Sequence, residues 1–186
     1  MKNYFYPAFK LTLLSLIVLS GIYTMILLGI GKLMPAKGQG EQVSFRQHTY
    51  FVNIGQRFSR DEYFWSRPSA VNYNAAGSGA SNKGPTNPDY LHTVRARIDS
   101  FLVHNPGIKR SEIPVDLVTA SGSGLDPNIS LAAAEVQVKR IARVRNLPET
   151  RLRSLIQQYV ERPFLGLFGP EKLNVLKLNI ALDALK

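Results

Sequence analysis

Leu11 to Gly31 reads LTLLSLIVLSGIYTMILLGIG, 21 residues without a charge, closed by Lys10 on one side and Lys32 on the other. At 1.5 Å per helical residue this run reaches about 31 Å, the thickness of a bilayer's hydrocarbon core. Tyr4, Phe5 and Tyr6 precede it where an interfacial aromatic belt would sit. A cleaved signal peptide is the competing reading. Its apolar region would span about 7–15 residues and end at a small-residue site, which Gly31-Lys32-Leu33-Met34-Pro35 does not provide. The run therefore reads as one retained transmembrane helix. Lys2 and Lys10 on one flank balance Lys32, Lys37 and Arg46 on the other, so charge does not set its orientation.

Working outward, residues 1–34 form the tip and the span, residues 35–47 read as a polar linker with Gly and Pro, and residues 48–186 remain for one compact domain. The chain has 186 residues and a formal charge of +10. Residues 1–40 carry four lysines and no acid, and 19 basic against 13 acidic side chains leave +6 on the rest. That charge is too dispersed to indicate nucleic acid. The absence of cysteine excludes disulfides, thiolate nucleophiles and cysteine zinc sites. His48, His92 and His104 show no metal-ligand spacing.

Thr49 to Ile54 has the β-branched and aromatic content of a strand. Val71 to Asp89 is dense in Asn, Gly, Ser and Pro and reads as an extended loop, of a length that more often serves a partner than nothing. Three amphipathic helices follow. The first starts near Pro88, carries Leu91, Val94, Ile98, Phe101 and Leu102 on one stripe, and stops at Asn105-Pro106-Gly107. The second runs through Leu131, Ala134, Val138, Ile141 and Ala142 with Ser130 as N-cap, and the third through Leu152, Leu155, Ile156, Tyr159 and Val160 to Pro163. Ile113–Val118 and the partly alternating Leu173–Leu182 read as strands. The fold class is α+β, one N-terminal transmembrane helix followed by a small soluble domain.

The densest signal is Asp116 to Ser130, DLVTASGSGLDPNIS, which leads from a strand through a Gly/Ser turn into a helix start. Backbone amides at a helix N-terminus favour anions, and glycine lets a ligand approach closely, so a phosphate or carboxylate cradle is physically possible at the turn Ser121, Gly122, Ser123 and Gly124. The spacing matches neither phosphate-loop pattern and the turn has no lysine. A tight connection, with Asp126 capping a helix opened by Pro127, is the simpler account. Ala120-Ser121-Gly122-Ser123-Gly124 lacks the first glycine of a nucleophile elbow, and no base is near, so acyl-transfer chemistry is not expected. Lys139, Arg140 and Arg143 read as a solvated helix face, and Gln137 as a boundary residue of the apolar stripe. Tyr63, Phe64, Trp65, Arg67 and Tyr73 form either a docking surface or the core that the long loop wraps.

Taken together, these residues resemble one family, the C subunit of the bacterial Kdp potassium-transporting ATPase. The likeness covers nearly the whole chain. It runs through the apolar span, Gly55-Gln56 with Phe58, Tyr63-Phe64-Trp65, Arg67-Pro68-Ser69-Ala70, Ser81-Asn82, Gly84-Pro85 and the specific block Ile113 to Pro127. It continues through Ala134, Gln137-Val138, Asn174-Val175-Leu176, Leu178-Asn179 and Leu182-Asp183. Asn128 departs from the family, where histidine is more usual.

The resemblance implies a non-catalytic subunit of an ATP-driven potassium importer. Its partners would be a potassium-channel-like subunit, a P-type ATPase subunit and a very small membrane peptide. It implies a single pass through the inner membrane, an N-terminus in the cytoplasm and a domain on the outer side. It also implies assembly of the complex and a catalytic-chaperone role that raises the ATP affinity of the ATPase subunit. Ser121 to Gly124, Asp126 and Gln137 match the residues implicated in nucleotide contact. Tyr63, Phe64, Trp65, Arg67, Tyr73 and Asn82 are the expected partner surface. Neither an aspartyl-phosphate motif nor a P-loop occurs in the chain.

Overall fold

The computed structural model describes residues 2–185. It divides into two compact units at Gln42/Val43. In the first, α1 (Lys2–Ser15), a π-helical stretch Leu16–Ile22 and α2 (Tyr23–Leu33) follow without a break. The apolar, uninterrupted segment Tyr4–Leu33 is 30 residues long, so the expected span is present and longer than the bilayer core requires. The Tyr23 amide donates to the Val18 carbonyl, which closes the wide turn. Thr24 donates through Oγ1 to the Ser20 and Gly21 carbonyls of the same region.

The second unit begins with a hairpin of β1 (Gln42–Phe45) and β2 (His48–Phe51). Arg46 and Gln47, both at positive φ, form its two-residue turn, the backbone that a type I′ turn demands. The strand expected over Thr49–Ile54 thus ends at Phe51, and β1 lies within the residues read as linker. Residues 52–87 have no regular secondary structure.

Then comes α3 (Pro88–His104), with Pro88 in its first turn and the Asn87 side chain accepting from the Tyr90 amide. Ile113–Val118 is not a strand: 3₁₀ turns at Arg110–Glu112 and Val115–Leu117 flank Pro114, which cannot donate to a ladder. β3 (Asn128–Ile129) pairs antiparallel with β4 (Leu173–Asn174), Asn128 opposite Asn174 and Ile129 opposite Leu173.

The second expected helix is interrupted. α4 (Leu131–Glu135) ends before Gln137, and α5 (Val138–Arg145) begins after it, ending at Asn146 in the left-handed region. α6 (Glu149–Tyr159) carries the expected stripe of Leu152, Leu155, Ile156 and Tyr159 but ends before Val160, which is extended. The C-terminal run is mostly helix, α7 (Val175–Ala184), rather than strand. Val175, Leu178, Asn179 and Leu182 recur at helical spacing and are buried, and the Asn174 side chain caps the first turn by accepting from the Lys177 amide.

The core lies among α4, α5, α6, α7 and the segment Tyr63-Phe64, with Phe101 of α3, Leu117, Val118 and Ile129 completing it. Phe64 sits in extended coil, yet both of its main-chain polar groups are satisfied. Asn179 accepts from its amide through Oδ1 and donates to its carbonyl through Nδ2, both at 2.9 Å. A side-chain amide on α7 thereby replaces a neighbouring strand.

Candidate functional site

The Gly/Ser turn folds against two other segments. Gly55 donates to the Leu125 carbonyl at 2.7 Å, and Gly79 donates to the Ser123 carbonyl at 2.9 Å. Ser78 adds a bond to the same Ser123 carbonyl, and the Ser69 hydroxyl donates to the Gly124 carbonyl. Gly124 stands at φ +68°, and a Cβ there would lie 2.7 Å from Val71 Cγ2 and 2.8 Å from the Gly79 carbonyl oxygen. A Cβ on Gly55 would meet the Asp126 carbonyl at 2.8 Å. These two glycines make room for the protein's own backbone. Gly122 and Ser123 are exposed, whereas Ser121 is buried.

The helix entry is also engaged. Asp126 does not cap a helix. Its Oδ1 accepts from the Asn128 amide, Oδ2 pairs with Arg67 at 3.0 Å, and the chain after Pro127 enters β3. The cap of α4 is Ser130, which accepts from Ala133, and Asp116 receives both the Ser130 amide at 2.7 Å and its hydroxyl. Arg67 also donates to the Thr119 carbonyl, and the Tyr73 hydroxyl donates to the Arg67 carbonyl. Arg67 and Tyr73 therefore fasten the long loop to the turn. Burial pushes the Tyr73 phenol above its ordinary pKa, against the opposing pull of Arg57 and Arg97. Asn82 is exposed, at positive φ.

Gln137 lies inside, fully buried. Its Oε1 accepts from the Trp65 amide and from Arg140 Nη2, each at 2.7 Å, and its Nε2 donates to the Ala133 carbonyl. Arg140, expected on a solvated face, is 2% exposed. Its guanidinium donates to Asn105 Oδ1 at 3.0 Å and to the Asp61 carbonyl, and stacks 4.7 Å from the centre of the Trp65 ring. Burial lowers its pKa to about 10, with Asp61 acting in the opposite direction, so it stays charged at neutral pH. Lys139 and Arg143 are exposed as expected.

Tyr63 and Phe64 are core residues, and Tyr63 donates to Asp183, which also binds Arg145 and Arg46. Trp65 is half-buried and meets His104 edge-on. Of the expected partner residues, only Asn82 is fully exposed, while Trp65, Arg67 and Tyr73 present edges.

A cleft of about 600 Å³ opens between this segment and α3, lined by Phe58, Trp65 and Tyr73 with Arg57, Arg97 and His92 and no carboxylate. Nothing in the residue pattern signals it, because its cations come from separate segments, Arg57 from coil and His92 and Arg97 from α3. No cluster of three or more His, Cys, Asp or Glu suited to a metal occurs among the described residues.

Among the described residues, one helix long and apolar enough to cross a membrane precedes a small α+β domain whose conspicuous polar residues are mostly engaged in its own fold. The sequence pattern of the family described as KdpC, K+-transporting ATPase, c chain, matches residues 5–184. The chain is 52% identical to the potassium-transporting ATPase KdpC subunit of Flavobacterium johnsoniae over the full length of both. It is 48% identical to the subunit of the same name from Bacteroides thetaiotaomicron, over 98% of each chain. Identity to that of Caldanaerobacter subterraneus is 44%, over 93% of this chain and 91% of the relative. The chain belongs to the KdpC family, the accessory rather than the catalytic subunit of a K+-transporting ATPase.

Proposed function

We propose that the domain stabilises an ATP-driven potassium-import complex from the outer side, where it caps the mouth of the potassium-channel-like subunit. It acts as catalytic chaperone for the P-type ATPase subunit through the assembly, and the small membrane peptide completes the complex. The observation that carries this reading is the engagement of Gln137. With its amide oxygen taken by Trp65 and Arg140 and its nitrogen bonded to Ala133, the fully buried Gln137 faces the protein interior rather than an ATP in solvent. Of the turn's two glycines, Gly124 is filled by Val71 and Gly79 of the protein itself, and Gly122 alone faces open space. A single span also separates an outer domain from cytoplasmic ATP. The long loop, pinned at Ser69, Tyr73 and Gly79 and otherwise largely exposed, then offers a polar surface to a partner.

The test exploits the lack of cysteine. Ser81→Cys and Ser154→Cys, both at exposed positions, should react with a membrane-impermeant maleimide in intact cells. Protection until lysis would put the domain inside and end the capping role. Asn82→Ala with Lys83→Ala should lower the apparent potassium affinity of the complex several-fold. Unchanged affinity would remove the loop from the channel mouth. A direct nucleotide role for the turn requires saturable ATP binding by the lone subunit that Ser123→Ala weakens.

A further inference from the structure

Pro163 to Pro170, PFLGLFGP, is the most apolar exposed segment outside the membrane helix. Phe164, Leu165, Leu167 and Phe168 are 71, 74, 80 and 64% exposed. The segment is an ordered hairpin. Glu161 and Lys172 exchange main-chain bonds at its base, as do Phe164 and Phe168 above, and Gly166 donates to the Pro163 carbonyl. Leu165, Gly166 and Gly169 all stand at positive φ, so the turn holds a side chain in backbone space that usually goes to glycine.

Four large side chains held this way display on the order of 500 Å² of apolar surface, as much as the largest patch of a typical monomer. A stable interface buries about 800 Å² per partner, so the hairpin supplies the centre of one rather than the whole. Its base supplies a rim. Glu161, Arg162, Glu171 and Lys172 are all exposed, two of each sign, with Lys172 paired to Glu161 at 3.5 Å. An apolar centre inside a mixed-charge rim is the anatomy of a protein interface. A loop made for an anionic bilayer would carry a rim of one positive sign.

A second copy of this chain fits poorly. The clefts of the domain are ringed by cations: Arg57 and Arg97 in one, Lys139 and Arg143 in another, Arg46, Arg57 and Arg60 in a third. An apolar knob seated there would desolvate guanidinium groups without pairing them.

We infer that residues 163–169 are a preformed apolar anchor that seats in a hydrophobic pocket of another protein subunit of the assembly. This goes beyond the capping role and holds on either side of the membrane. The experiment compares maleimide reaction at Leu167→Cys in two samples. One is the lone full-length chain in nanodiscs of phosphatidylethanolamine and phosphatidylglycerol, the other the purified complex in the same lipid. Fast reaction in the first and a rate about tenfold or more lower in the second is expected for a desolvated anchor. Slow reaction in both means lipid insertion or self-association, and fast reaction in both means a free loop. Either overturns the inference.

Phe164→Ser with Phe168→Ser guards against loss of assembly by the cysteine variant. Recovery of the complex should fall about tenfold, matching an interface hot spot, while far-ultraviolet circular dichroism of the subunit is unchanged. Full recovery of the complex would also refute the anchor.

Discussion

Gln137 and Arg140 show how burial decides the meaning of a polar side chain. Gln137→Ala leaves the Trp65 amide without its acceptor and removes one partner of Arg140. We expect a loss of about 1–3 kcal/mol in urea unfolding, the usual cost of an unsatisfied buried group. Any change in ATP handling by that variant should scale with this loss, and a functional defect at unchanged stability would contradict the structural role. Arg140→Ala should cost more, about 3–5 kcal/mol, because Asn105, Gln137 and the Asp61 carbonyl lose a charged donor together. Arg140→Lys should recover little of it, since one ammonium cannot reproduce a fork of three bonds and a stacked face.

The same residue scale fixes an alkaline response. The neutral Tyr73 phenol donates to Arg67, and its pKa is raised in the fold, so the folded state keeps a proton that the unfolded chain releases above about pH 10. Stability from this group is full below that pH and falls as pH rises through it. Arg140 works the other way. Its pKa is lowered to about 10, so its burial penalty eases as pH climbs from there. Comparing wild type with Tyr73→Phe between pH 9 and 11 isolates the phenol, and the variant should show the smaller loss. Identical slopes would place Tyr73 in water.

At the scale of elements, the helices were legible where one apolar stripe repeats at helical spacing beside a cap residue, as in α3 and α6. The failures have physical causes. Leu173–Leu182 satisfies a two-residue and a 3.6-residue repeat alike, and only the Asn174 cap and the buried Asn179 break the tie. Arg140 belongs to the buried flank of α5 because Asp61 and Trp65, some 80 positions away in the chain, cover it. Helical periodicity contains no such information. Likewise, the glycines of the turn were visible, but what approaches them was not. Gly124→Ala tests that approach. With φ at +68° and Val71 and the Gly79 carbonyl inside contact distance, the substitution should cost at least about 1–2 kcal/mol. It should also speed hydrogen exchange of the Gly79 amide, which bonds Ser123 across the same contact. Unaltered exchange would mean that the loop is held elsewhere.

For the whole molecule, every buried hydrophobic side chain among the described residues lies at Val52 or beyond, although the sequence devotes its most conspicuous stretch to residues 11–31. The span was the easiest feature to read because bilayer thickness sets a length that few other segments reach. The domain was harder, since its stability rests on amide clamps between distant segments, Asn174 to Val52, Asn179 to Phe64 and Gln137 to Trp65. The distribution of core and clamps carries a prediction of its own. A fragment of residues 43–186 keeps all three clamps and the entire core, so it should fold without the anchor and unfold in one cooperative transition. Its Tm should fall within about 4 °C of that of the full chain in detergent, the shift expected for under about 1 kcal/mol in a domain of this size. Its solubility is a separate matter, because the hairpin at 163–169 remains bare. Phe164→Ser with Phe168→Ser should therefore raise its solubility while leaving Tm unchanged. A Tm lowered by more than about 10 °C would instead mean that the membrane segment contributes to folding of the domain.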